Sequence, residues 1–189
     1  AAVGSAFTLM TFLTSIFLGL AMGAGALFAI CIGRGDMASL RRAAALALCL
    51  IGAVTAVLTG LVYALLSPVL RFLQIPEALL GDMGGYLRII FAGLTATFLY
   101  NYFACLLRSA GNSAAPLWFL GGAALLNVGL DLLFVLVCRW GVSGVAAATV
   151  IAQYAAGLGL AVYALRRCRE LLPRREDFRF DRRTLRELL

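Results

Sequence analysis

The sequence predicts an all-α membrane protein of five transmembrane helices, and three observations carry that prediction. First, the 189 residues are 63% hydrophobic and only 13% charged, with a mean hydropathy of +0.98. A soluble domain carries about 25% charged and 45–50% apolar residues. Second, residues 1–33, 43–70, 89–107 and 140–165 contain no charge, and 109–138 contain only Asp131. A bilayer-crossing helix needs roughly 20 apolar residues, and in an open chain only a helix satisfies its own backbone in lipid. Third, all 16 arginines fall between these runs or after the last of them.

Taken in order, the helices are expected near residues 5–33, 43–66, 87–108, 116–138 and 142–166. "GRGDMASLRR" (33–42) separates the first two. Its Arg-Gly-Asp tripeptide matches a cell-adhesion signal, but in a loop on the arginine-rich side it is a chance match. Gly19 and Gly23 form a GxxxG in the first helix, a pattern that suits close helix packing. "SPVLRFLQIPEALLGDMGG" (67–85) separates the second and third helices, with Pro68 and Pro76 as breakers. In "RSAGNSAAP" (108–116), Gly111 is placed to stop a helix, Ser113 to cap the next and Pro116 to lie near its start. "CRWGVSG" (138–144) is the tightest turn.

Loops alternate sides, so the arginines can be sorted. Arg34, Arg41, Arg42, Arg108 and nine in the tail from Arg166 to Arg186 fall on one side, 13 in all. Arg71, Arg88 and Arg139 make 3 on the other. The arginine-rich side is expected to be cytoplasmic, mainly on the strength of the tail. In the tail, residues 167–189, Leu and Phe are interleaved with Arg and acids. The pattern fits a helix on the inner membrane face, against anionic headgroups, or a solvated linker. Thr184 and Glu187 have capping-box spacing, as if another helix begins where the chain stops. With no start Met and no basic region ahead of the first run, the chain reads as a fragment of something longer.

Enzyme chemistry finds little support. All 16 basic residues are Arg, and the absence of His removes the usual general base and the commonest zinc ligand. The cysteines, at 31, 49, 105, 138 and 168, show no CxxC spacing and read as small apolar residues without disulfides or metal. Cys168, beside Arg166 and Arg167, sits where a juxtamembrane cysteine can be acylated. There is no phosphate-binding glycine loop and no nucleophile paired with a base. No cofactor and no nucleic-acid partner are expected; the bilayer is.

"LLNVGLDLLFVLV" (125–137) is the exception to the apolar pattern. Asn127 and Asp131 are four residues apart and share a helix face. A charge at the bilayer centre costs about 2.5–3.5 kcal/mol on insertion scales and usually faces a bundle interior or wet cavity. Trp140 marks the following turn: Asp131 lies nine residues before it and Thr149 nine after, Asn127 thirteen before and Gln153 thirteen after. At 1.5 Å per residue both pairs should lie roughly 13–20 Å below the turn. A polar clasp explains Asn127, Thr149 and Gln153 at about 0.6 kcal/mol per hydrogen bond. It explains Asp131 poorly, and a cation or proton site explains it better.

At these residues the sequence resembles the multidrug and toxic compound extrusion (MATE) family. "YNYFACLLRSAGNSAAPLWFLGGAALLNVGLDLLFV" followed by "WGVSGVAAATVIAQ" resembles its fourth to sixth helices. "AAVGSAFTLM…GLAMGAGALFAICIGRGD" is similar to its second, and "IPEALLGDMGGYLRIIFAG" to the start of the fourth. The resemblance implies helices two to six of a six-helix lobe in a twelve-helix, pseudo-symmetric transporter: residues 1–166 as an incomplete first lobe, 167–189 as the cytoplasmic linker to the second. It implies an exporter of organic cations or other amphipathic drugs in the bacterial inner membrane, driven by inward Na⁺ or H⁺. It also implies a coupling site of Asn127, Asp131 and Thr149, completed by an Asp on the absent helix one; Gln153, from the depth count, is a possible polar support. Alternatives are a lipid-linked oligosaccharide or polysaccharide flippase of the same superfamily, or a non-transporting membrane scaffold. Flippase cavities are cationic, whereas the midplane residues here are acidic or neutral.

Overall fold

The computed structural model describes the backbone of residues 2–72 and 77–178, and most side chains within 15–64 and 87–177. The order is α1 (Ala2–Gly33), α2 (Met37–Phe72), α3 (Glu77–Ser109), α4 (Ala114–Leu132) running into a π turn (Leu133–Val137), and α5 (Gly141–Arg167). Two 3₁₀ turns, Arg169–Leu171 and Arg175–Phe178, follow. The five helices fall where the charge-free runs place them. Among the described residues, Met37–Ala64, Leu87–Ser109, Ala114–Val137 and Gly141–Arg167 are each long and apolar enough to cross a membrane, and Leu18–Gly33 is a shorter apolar stretch of α1.

Three boundaries differ from expectation, each for a local reason. α2 starts at Met37 because Asp36 caps it: the Ser39 N–H donates to Asp36 Oδ1 at 2.9 Å, and Ser39 Oγ donates to Oδ2 at 2.6 Å. These bonds, the Ser39 hydroxyl first, hold the exposed Asp36 carboxyl below its ordinary value. The Asp of the Arg-Gly-Asp tripeptide therefore has a structural task. α2 also continues through Pro68 to Phe72, as membrane helices tolerate. α3 begins directly after Pro76, ten residues earlier than expected, and proline suits a helix start. Gly111 stops α3 in the left-handed region at φ 84°, as its position predicts. The cap of α4 is Asn112 rather than Ser113: Asn112 Oδ1 accepts from the Ala115 N–H at 3.1 Å, while Ser113 makes no side-chain cap bond.

α3 is the hub. It packs on α1, α2 and most extensively on α5, while α4 leans chiefly on α5. Phe28, Leu40, Phe91, Leu94, Tyr102, Leu106 and Leu160 are almost fully buried around it. Tyr102 donates its hydroxyl to the Ala44 carbonyl at 2.9 Å, which satisfies a polar tip inside an apolar core. The closest helix approach is between α3 and α5. A Cβ on Gly157 would lie 3.0 Å from the Ala96 carbonyl oxygen and 3.3 Å from the Tyr100 nitrogen, so a side chain there would push on the α3 backbone. The GxxxG of α1 does not have this role among the described residues. A Cβ at Gly19 or Gly23 would meet nothing within 4 Å, because both lie on the face turned away from α2 and α3.

The described part of the tail, to residue 178, folds back onto α2 and is not one continuous helix. Pro173 interrupts it, and its two 3₁₀ turns pack on α2. Leu171 and Leu172 are buried, and Arg41 Nε lies 3.4 Å from Asp177 Oδ2. Cys168 is half-buried, and that burial pushes its thiol pKa up, against easy modification. The Thr184–Glu187 capping pattern lies outside the described residues. Contacts of Arg41 with Asp177 and of Asn112 with Tyr163 bring the first loop, the α3–α4 turn and the end of α5 to one end of the bundle. Arg34, Arg41, Arg42, Arg108, Arg166 and Arg167 therefore fall at that same end.

Candidate functional site

A cavity of about 290 Å³ opens between α3, α4 and α5. Alanines 96, 123, 124, 152 and 156 keep its walls thin, and polar side chains from all three helices reach it: Thr97 and Asn101 from α3, Asn127 from α4, Thr149 and Gln153 from α5. Helical periodicity places each pair. Thr97 and Asn101, and Thr149 and Gln153, are both four residues apart and therefore on one face.

The hydrogen bonds show what each side chain has left to offer. Thr149 Oγ1 donates to the Val145 carbonyl at 2.9 Å and accepts from Asn127 Nδ2 at 3.4 Å. Asn101 Nδ2 donates to the Thr97 carbonyl at 2.8 Å, and Thr97 Oγ1 donates to the Gly93 carbonyl at 3.1 Å. Both asparagines use their N–H donors here, and these bonds leave their Oδ1 atoms uncommitted. Gln153 Oε1 rests against Gly93, where a Cβ would collide with it, so Gly93 makes room for that amide. The cavity thus presents neutral oxygen donors, the type a hard cation prefers.

Asp131 stands apart from this lining. It is half-buried, and its Oδ1 is buried with no hydrogen-bond partner among the described residues. No group of three or more His, Cys, Asp or Glu side chains forms among the described residues, so Asp131 is an isolated carboxylate, one helical turn from Asn127. A buried, unpartnered carboxylate oxygen in a membrane helix calls for a ligand, a proton or a further protein group.

The depth pairing needs correction by four residues of α5, about one turn of helix. Asp131 was expected opposite Thr149 and Asn127 opposite Gln153, yet Asn127 meets Thr149. The π turn at 133–137, where Cys138 N donates to Leu133 O at 3.0 Å and Trp140 N to Phe134 O at 2.9 Å, contributes in the observed direction. A π turn holds more residues per turn than an α-helix and so advances less along the axis per residue. Equal counting from Trp140 therefore overestimates the descent of α4. Arg139 (φ 54°) and Gly141 (φ 58°) complete the reversal, and Phe134 stacks on Trp140 at 4.9 Å.

Thr97 and Asn101 escaped the sequence reading, although the signal was there. They sit i, i+4 inside the charge-free run 89–107, the same spacing as Asn127 and Asp131.

Comparison with known proteins agrees with this architecture. The MatE family model matches residues 1–133. The probable multidrug resistance protein YoeA of Bacillus subtilis (strain 168) is 30% identical over 195 aligned residues, covering all of this chain and 40% of that protein. YpnP of the same organism, also named a probable multidrug resistance protein, is 39% identical over 84 residues, 44% of this chain and 19% of that protein. This chain therefore spans less than half the length of these relatives. Outward- and inward-facing structures of a MATE multidrug resistance transporter superpose with TM-scores of 0.89 and 0.90 at 24% and 22% identity, covering all of this chain and 42% and 43% of theirs. The bent form of the Vibrio cholerae transporter VcmN gives 0.85 at 23% identity, covering 99% and 42%. At this identity the likeness concerns the fold, and the five helices keep it in both facing states. The family is one of membrane transporters rather than enzymes, and this chain belongs to it: it is a MatE-family chain carrying five helices of a transporter fold.

Proposed function

We propose that this chain supplies most of the first lobe of a cation-coupled exporter, in which Asp131, Asn127 and Thr149, with Gln153 beside them, hold the coupling Na⁺ or H⁺. The observation that carries this reading is the buried Oδ1 of Asp131, without a hydrogen-bond partner among the described residues, one helical turn along α4 from Asn127, which lines the cavity of neutral oxygens. A cation bound there would satisfy the carboxylate, and its departure would leave a charge that the membrane interior penalises. That difference lets an ion gradient bias one conformation of a lobe over another. Asn101 and Thr97 extend the donor set from a third helix.

The exported substrate is proposed to be an organic cation or similar amphipathic drug, in keeping with the multidrug resistance names of YoeA and YpnP. The cavity lining carries no cationic side chain, which disfavours phosphate-bearing cargo. The arginine-rich end is proposed to face the bacterial cytoplasm, with the tail linking to a second lobe. Alternating access needs two halves that rock against each other, so this chain alone is not expected to transport.

The test uses the intact transporter in inverted vesicles with a fluorescent cationic dye. An imposed Na⁺ or pH gradient should drive dye movement, and residues 1–189 alone should give none. Dye movement by the intact protein that ignores both gradients would contradict the proposal.

A further inference from the structure

A second concavity, of about 460 Å³, lies between the start of α4 and the last two turns of α5 at the tail end of the bundle. It is built differently from the polar cavity. Its floor is aromatic: the Phe119 and Tyr163 rings meet at 6.0 Å and 63°. Gly159 admits the Phe119 ring, since a Cβ there would lie 2.7 Å from it. Asn112 Nδ2 donates to the Tyr163 hydroxyl at 3.1 Å and fixes that ring. The wall is Leu158 and Val162, 53% and 45% exposed. Arg166 and Arg167, both exposed, stand at the mouth. Neither forms an ion pair among the described residues, where Arg41–Asp177 is the pair that does form.

We propose that this groove holds an anionic phospholipid, with an acyl chain along Leu158 and Val162 and the phosphate between Arg166 and Arg167. Three features on one site point to that chemistry. The apolar length runs along a membrane-spanning helix, so its solvent is lipid. The cationic mouth sits at the helix end, where headgroups lie, and basic pockets between helices at that level select acidic headgroups. Two arginines without an ion pair among the described residues repel a cationic amphiphile, so the groove does not duplicate the proposed drug path. The bound lipid would brace α4 against α5, where α4 has its main support. The proposal rests on the membrane-spanning fold alone and is independent of any coupling role for Asp131.

The experiment is native mass spectrometry of the intact transporter extracted from membranes of phosphatidylglycerol and phosphatidylethanolamine. Wild type should retain phosphatidylglycerol in preference, and inorganic phosphate should not displace it. Arg166→Gln combined with Arg167→Gln should weaken retention about 30-fold, the factor that corresponds to ~1 kcal/mol per Arg near an anionic surface. Val162→Trp, which fills the groove and leaves the charges, should also lose the lipid. Arg42→Gln, outside the groove, should change nothing, and Arg166→Lys with Arg167→Lys should keep most of the retention, which controls for folding. Undiminished retention in the double Gln variant or in Val162→Trp would overturn the proposal. So would a Val162→Cys site shielded from a lipid-soluble maleimide by another part of the transporter.

Discussion

α3 and α4 both span the bundle's length, yet they solve opposite problems. Within its spanning window 61% of α3 is buried inside the bundle, against 6% of α4, although α4 is the more apolar of the two. In water the more apolar helix would be the buried one. In lipid, apolar surface gains nothing from hiding, and packing and polar contacts decide who is inside. α3 therefore carries Tyr102, Thr97 and Asn101 inward and approaches α5 closely at Gly157. α4 exposes Leu117, Leu125, Val128 and Leu132, and its Asn127 is turned to α5 and the cavity. The more apolar helix of the pair is the one whose few polar residues carry the most information.

That comparison can be broken by mutation, and the largest effect should come from its inner side. Leu106→Ala on α3, at 0% exposure, should cost about 2–5 kcal/mol, read as lost thermal stability of the intact transporter in detergent. Leu125→Ala on α4, at 78% exposure, should stay within about 0.5 kcal/mol. Equal losses would mean that another part of the transporter covers α4 and that lipid does not.

Gly157→Ala should be next, because the intruding Cβ meets backbone of α3 rather than a side chain that can swing away. A cost of about 1–3 kcal/mol is expected, and no change would refute the tight α3–α5 approach. Gly23→Ala, where nothing lies within 4 Å, is the matched control. Smaller still is Arg41→Gln. Its ion pair with Asp177 is partly exposed and worth at most about 1 kcal/mol, so stability should barely move. Limited proteolysis should nevertheless cut the tail faster.

The smallest effect concerns the α2 cap. The folded Asp36 carboxyl lies below its ordinary value of 3.8, so its capping contribution is present above that value and fades as pH falls below it. Asp36→Ala should remove a slight pH dependence in that acid window only. The same dependence persisting in the variant would assign it elsewhere.

Much of this was legible in the sequence because lipid imposes simple rules. Charge-free runs gave the five helices, and one carboxylate inside such a run marked the candidate site. What was hidden depended on local geometry. Asn127 meets Thr149 across a reversal that includes a π turn, and hydropathy cannot see a π turn. Asp36 extended α2 through capping, a task indistinguishable in sequence from a chance tripeptide. Pro68 failed to break a helix, since membrane helices accommodate proline. The folding of the tail onto α2 depends on Leu171 and Leu172 finding a surface that only the assembled bundle provides.

The central claim is that Asp131 couples an ion to export rather than clasping two helices. The direct measurement is drug efflux by intact Asp131→Asn transporter at matched expression, across pH and with and without Na⁺. Asn keeps the size and most of the hydrogen-bonding capacity, so a clasp should survive the change. A coupling site should not, and efflux is expected to fall to background under every condition while the protein still inserts. Asn127→Ala and Thr149→Ala should reduce efflux less, each removing one neutral ligand. Wild-type efflux by Asp131→Asn under all those conditions would contradict the account.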